Sequence, residues 1–284
     1  FYTFVTHFLG FPSFGSEYKV MGLAPYGEAT YVDELYTLAE TDEFGSFRLK
    51  FNPSFHPNKT KDYFHLIEKA TGVKRVQSKE LSSEQVNLAT SLQRIFEKEV
   101  VKMAAFAKIQ YPNINNLIFC GGCAQNCVTA GILRDTGIFK NVFNSPIGGD
   151  MGSAIGACLD FMRIKKMTIP DFYKSNFYFG SKPGIIEREG AVNYEIKIEN
   201  NIYETTAQLL ADGKICGWVQ NGMELGARAL GARSIIANCI DTEMQTKLNL
   251  KIKFRESFRP FAPIILEEYQ SEWFDSNQPS YYMQ

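Results

Sequence analysis

The residue pattern predicts an α/β fold of mixed α+β character. Two tandem strand–glycine–helix units and one long amphipathic helix carry that expectation. The first unit reads "NLIFC" as a short buried strand, "GG" as a turn and "CAQNCVTAGILRD" as a helix. The second reads "NVFNSP", "IGGD" and "MGSAIGACLDFMRIKK" in the same roles. Strands that each feed a helix lay helices on a sheet.

The elements follow in chain order. Residues 1–30 are rich in Gly, Pro and aromatics and read as ordered loop and turn. Residues 31–80 are mixed and polar, with turns at "FNPSFHPNKTKD". The long helix runs from about 82 to 110. Ser82 and Gln85 form a capping box at its start. Leu88, Leu92, Ile95, Phe96, Val100, Met103 and Ala107 recur at three and four to make one apolar stripe. Pro112 ends it by disfavouring a helical Tyr111. After the two glycine units, residues 164–185 lose all period and read as a connection. "NIYETTAQLLADG" is a helix stopped by Gly213, and "KICGWV" is a strand. "DTEMQTKLNL" is a short helix capped by Asp241, and "IKFRESF" alternates as a strand. These features divide the chain into a domain over 1–180 and a second α/β domain over 181–284.

Bulk composition narrows the function. The 284 residues are 45% hydrophobic and 21% charged, as in a folded globular protein. A formal net charge of −1 gives no broad field for gathering nucleic acid, so an anion site must be local. No apolar run reaches the roughly 18 residues that a membrane span needs. Six cysteines are too few for a disulfide scaffold and fit a reduced cytoplasmic setting. The opening Phe1-Tyr2-Thr3-Phe4 has neither an initiator Met nor a basic signal head, and reads as a fragment.

Cys120, Cys123 and Cys127 have the spacing of a partial metal site. A second C-x2-C half is absent, and the three histidines, His7, His56 and His65, lie far off. The simpler reading takes these thiols as small buried apolar groups. The glycines explain the stretch better. Gly121 and Gly122, then Gly148 and Gly149, turn the chain sharply ahead of a helix and let a ligand approach the backbone. A helix start offers N–H groups and the positive end of a dipole to phosphate. Gly152 and Ser153 open the second helix with little side-chain bulk. A nucleotide cleft and tight turns with close helix packing both remain open here. Asp150 is either a plain N-cap or a ligand for a hard cation.

"NGMELGARALGARSIIA" places Arg228 and Arg233 in a Gly/Ala-rich stretch near Glu224. "LNLKIKFRESFRPFAP" adds Lys253, Arg255 and Arg259, the first two on one face if the segment is a strand. An anion pocket and a solvated basic edge compete as readings. Each charge-assisted bond to a phosphate is worth about 1.5–3 kcal/mol.

Together, "EYKVMGLAPYG", "CGGCAQNC", "GGDMGSAIGA", "MELGARALGARSI" and "LNLKIKFRESFRPFAP" resemble the O-carbamoyltransferases of the NodU and antibiotic-tailoring type, in family order along the whole chain. The resemblance implies part of an actin/hexokinase-like domain similar to TsaD proteins, followed by part of a domain similar to YrdC. It implies that ATP and carbamoyl phosphate form carbamoyl adenylate, and that the carbamoyl group then passes to a hydroxyl of a small molecule or sugar. Gly121, Gly122, Asn126, Gly148, Gly149, Gly152 and Ser153 would cradle the nucleotide. Arg228, Arg233, Lys253, Arg255 and Arg259 would hold the phosphates and the carbamoyl group. Asp150 matches a carboxylate ligand of a divalent metal (iron, magnesium or zinc) whose His-x3-His partners belong ahead of residue 1. The family's "GRMEFGPRALGNRSI" departs here at Gly222, Ala227 and Ala232, which stand for Arg, Pro and Asn. A nucleotide-binding module without transfer activity is the alternative.

Overall fold

The computed structural model describes residues 1–13, 15–51, 63–76, 80–169, 177–184, 197–275 and 280–283. The turns expected across 52–62 lie outside these residues. The chain forms two compact units, Phe1–Asn144 with Phe258–Pro260, and Ser145–Ser257 with Phe261–Met283. The architecture is α/β: ten α-helices and three two-stranded sheets among the described residues, one of the sheets parallel. No described helix is long and apolar enough to cross a membrane.

The first unit is built on one long helix. Its elements are α1 (Tyr2–Phe8), α2 (Glu17–Leu23), a 3-10 turn (Ala24–Tyr26), α3 (Val32–Tyr36), β1 (Ala39–Thr41), β2 (Phe47–Leu49), α4 (Phe64–Thr71), α5 (Ser83–Gln110), β3 (Asn116–Phe119), α6 (Cys127–Asp135) and β4 (Asn141–Asn144). The capping box at the start of α5 is present in both directions. Ser82 N donates to Gln85 Oε1 at 2.9 Å, and Gln85 N donates to Ser82 Oγ at 3.4 Å. Leu88, Leu92 and Ile95 are buried against Phe4, Val5, Phe8, Leu35 and Ile67. The stripe then drifts. Met103 is exposed and Ala104 takes the buried position against Leu133 and Phe139.

Residues 1–30 correct the expectation of loop and turn, because they hold α1 and α2. Helices of seven residues complete barely two turns, so no period can register in the sequence. Long-range packing stabilises them instead. Gly27 shows why the motif ends in glycine: a Cβ there would stand 2.7 Å from Thr90 Oγ1 and 2.9 Å from the Val86 carbonyl carbon. Thr90 Oγ1 donates to Ala24 O at 2.7 Å, and Glu28 N donates to Asn87 Oδ1 at 2.9 Å.

The first glycine unit is a true β–α–β connection, with β3 and β4 paired in parallel from Asn116↔Asn141 to Phe119↔Asn144. The strand is not buried on both faces, as the sequence led us to expect. Leu117 and Phe119 pack inward, while Ile118 is 66% exposed, because only one face is covered. Cys120, expected buried, is exposed along with Cys123.

The second unit contains α7 (Met151–Ile164), α8 (Ile202–Ala211), β5 (Ile215–Val219), β6 (Arg233–Ala237), α9 (Met244–Lys247), a π-helical turn (Leu248–Ile252), a 3-10 turn (Glu267–Tyr269) and α10 (Gln270–Trp273). α8 starts at Asn201, whose side chain accepts from Glu204 N, and Gly213 beyond its end sits at φ +75°. Asp241 Oδ1 accepts from Glu243 N ahead of α9. β6 was not foreseen; it pairs antiparallel with β5. The strand expected at "IKFRESF" does not form. The backbone leaves α9 through the π turn, and Phe254 adopts φ +48°. Buried Asn249 draws the chain back: Arg255 N donates to Asn249 O at 2.9 Å, and Asn249 Nδ2 donates to Ser257 O at 3.0 Å.

Candidate functional site

Gly121, at φ +97°, and Gly122 make the turn after β3 in open space, since an added Cβ at either would meet nothing within 4 Å. The helix does not begin at the glycines. A 3-10 turn (Gly122–Gln125) intervenes, and Asn126 is the N-cap of α6. Asn126 Oδ1 accepts from Thr129 N at 3.1 Å, Thr129 Oγ1 at 3.1 Å and Gln93 Nε2 at 3.2 Å. Its Nδ2 donates to Gln93 Oε1 at 2.9 Å. The side chain assigned to a nucleotide therefore locks α6 to α5. Gln93 also accepts from Tyr2 OH and donates to Glu97. Burial first, and the nearby Glu97 and Glu17 carboxylates after it, push the Tyr2 phenol up.

Gly148 and Gly149 form the turn before α7. Gly152 N donates to Gly149 O, and Ser153 N donates to Asp150 O. Those two amides are spent on the turn. Gly152 is a packing glycine: a Cβ would run into the Ile147 carbonyl. Asp150 occupies the N-cap position, but its side chain makes no cap bond. It is exposed, and among the described residues no three His, Cys, Asp or Glu side chains gather as a metal would require. Asp150 by itself does not make a metal site, and Cys120, Cys123 and Cys127 do not converge into one.

The Gly/Ala-rich loop between β5 and β6 is tightly organised. Glu224 Oε1 accepts from Leu230 N at 2.8 Å, Ala232 N at 2.6 Å and Arg233 N at 3.0 Å. Burial pushes the Glu224 carboxyl up, but its several backbone hydrogen bonds outweigh that and hold it below the usual carboxylate range. Arg233 closes the loop from the other side. Its Nη1 donates to Gln220 O and Ala232 O at 2.8 Å each, and its Nη2 donates to Ser181 O at 2.9 Å. Its guanidinium is a backbone clamp. Arg228 sits on the loop and is half-buried. Gly222 is buried against the 178–180 segment, where a Cβ would collide with the Tyr178 carbonyl. In this chain the space an arginine would need at 222 is filled by backbone.

Lys253 is exposed. Arg255 Nε donates to Asn249 Oδ1 at 2.7 Å, and its guanidinium lies 4.8 Å from the centroid of Phe261. Lys253 and Arg255 do not share a strand face. Arg259, in the other compact unit, stacks over Tyr18 at 4.2 Å. Glu224, Asn249 and Gln93 organise these places, and the sequence reading gave none of them that part. The only available signal was a lone acid upstream of a loop too poor in side chains to shape itself.

Comparison with known proteins gives the chemistry a frame. A family model described as the N-terminus of carbamoyltransferases matches residues 1–159, and one described as their C-terminus matches 207–284. An uncharacterized protein of Synechocystis sp. is 36% identical over 99% of this chain and 48% of its own length. Nodulation protein NolO of Bradyrhizobium diazoefficiens is 32% identical over 97% of this chain and 49% of its own length. Nodulation protein NolNO of Sinorhizobium fredii is 31% identical over 94% and 39%. The chain thus spans half or less of the length of these three relatives. The glycine turns, the glutamate-closed loop and the basic segment fall in order within those matches, and the chain belongs to the carbamoyltransferase family.

Proposed function

We propose that the protein transfers a carbamoyl group from carbamoyl phosphate to a hydroxyl of a small molecule or sugar, through a carbamoyl adenylate made with ATP. The observation that carries this reading is the pair of carbamoyltransferase matches, N-terminal then C-terminal, along the chain. In the first step water cleaves carbamoyl phosphate, inorganic phosphate leaves and carbamate forms; a carbamate oxygen then bonds to the α-phosphorus of ATP, and pyrophosphate leaves. In the second, the acceptor oxygen bonds to the carbamoyl carbon, AMP leaves, and the hydroxyl proton passes to solvent. Lys253 and the half-buried Arg228 are the cations this reading assigns to the phosphates. Asp150 is the carboxylate it assigns to a divalent ion.

The test is ATP–pyrophosphate exchange by the full-length protein. Exchange that requires carbamoyl phosphate is expected, and its absence ends the reading. Lys253→Ala should reduce exchange strongly with stability within about 0.5 kcal/mol of the parent, because the side chain is exposed. A second reading, a nucleotide-binding module without transfer, is favoured by one observation: the Arg233 guanidinium, a cation expected at the phosphates and carbamoyl group, is committed to backbone carbonyls. It predicts ATP binding by calorimetry that carbamoyl phosphate leaves unchanged.

A further inference from the structure

The stretch from Gly226 to Gly231 has a shape that its own side chains cannot impose. Gly226 at φ +135° and Gly231 at φ +99° bend it, and between them stand only Ala227, Arg228, Ala229 and Leu230. Backbone of this kind loses much conformational entropy when ordered, so something must hold it. Three groups do. Glu224 Oε1 gathers the amides of Leu230, Ala232 and Arg233. Tyr178 OH donates to Leu230 O at 2.7 Å. The Arg233 guanidinium takes the carbonyls on the opposite side. The amide nest that glycine-rich sequence offers to a ligand anion is therefore already filled by a carboxylate of the same chain.

We propose that Glu224 is the positioning residue of this loop: a tethered anion fills the amide nest and so fixes Arg228, which receives the anionic substrate through its side chain. The proposal rests on the carbamoyl-transfer reading, with carbamoyl phosphate as the anion. It is chemically distinct from a plain charge effect. A carboxylate close to an anion site repels the anion, so on charge alone its removal would tighten binding. If Glu224 shapes the loop, its removal weakens binding.

The experiment compares wild type, Glu224→Gln, Glu224→Asp and Glu224→Ala in the full-length protein. KM for carbamoyl phosphate, kcat, and amide hydrogen exchange over 225–234 are measured. Glu224→Ala is expected to raise KM about tenfold or more and to speed exchange at 230–233, as loss of a charge-assisted hydrogen-bond cluster implies. Glu224→Gln keeps an acceptor oxygen and should recover part of both. Glu224→Asp keeps the charge but is one methylene short, and should behave closer to Ala. Equal or tighter binding in Glu224→Gln and Glu224→Ala, or wild-type behaviour in Glu224→Asp with slow exchange, overturns the proposal. If Glu224→Ala fails to fold, the Gln and Asp variants still decide between charge and reach. A wild-type protein that shows no use of carbamoyl phosphate sinks the functional reading instead. Exchange at 230–233 then still reports whether Glu224 holds the loop.

Discussion

At the scale of single residues, the hydrogen-bond partners decide what each polar side chain is for. Asn126→Ala should cost about 2–4 kcal/mol, the sum of a lost N-cap and a buried Gln93 amide left short of partners. Urea unfolding measures it. Asn126→Asp keeps the cap but loses the Nδ2 donor to Gln93, so it should fall between the two. Glu224 gives a pH dependence of known sign. Its folded pKa lies below its unfolded value, so its contribution is complete above the ordinary carboxylate pKa of about 4.3 and fades as pH falls through the lower folded value. Amide exchange at 230–233, corrected for intrinsic rates, should accelerate in that acid range in wild type and much less so in Glu224→Gln. Residue types were legible in the sequence here, but commitments were not. Asn126 and Arg233 have the chemistry of ligand contacts, but Gln93 and the carbonyls at 181, 220 and 232, distant in sequence or unremarkable in type, already hold them.

At the scale of elements, legibility followed locality. The start of α5 was readable because a capping box is closed within four residues. The β–α–β unit was readable because glycine turns separate its pieces. The two helices before residue 24 were not, because they are held by contacts with α5, such as Tyr2 with Gln93 and Ala24 with Thr90, at separations of 91 and 66 positions. "IKFRESF" was misread because alternation of polar and apolar residues also fits a chain folded back on Asn249. Two substitutions test these junctions. Gly27→Ala should cost about 1–3 kcal/mol, since the added carbon meets the backbone of α5 as well as side chains. Tyr36→Phe removes the 2.6 Å bond from Tyr36 OH to buried Glu99 and should cost about 1–3 kcal/mol by thermal unfolding. Burial and that bond raise the Tyr36 phenol, so this stabilisation is present below about pH 10 and is lost at higher pH as the phenol ionises in the unfolded chain.

At the scale of the whole molecule, no described helix is long and apolar enough to cross a membrane, the formal net charge is −1, and the motif order pointed to the family. The chain passes from the first compact unit to the second between Asn144 and Ser145, within a strand–turn–helix pattern. Packing is uneven between the units. The large apolar cluster around Leu88 and Leu92 belongs to the first, whereas α7 and α8 bury none of their side chains. Hydrogen-exchange mass spectrometry of this 284-residue chain should find the slowest amides in α5 and fast exchange in α7 and α8.

The buried positions of α5 mix aliphatic groups with Ser91, Gln93, Glu97 and Glu99, and Ser91, Gln93 and Glu99 bond to Tyr31, Tyr2 and Tyr36 from neighbouring segments. Grease tolerates sliding, and these matches do not. Rolling the rod by one residue would strand two acids against hydrocarbon and swing Arg94 or Lys98 beneath the neighbouring helices. A cylinder about 42 Å long is thereby keyed to one azimuth, and every turn docked along it inherits its place from that key.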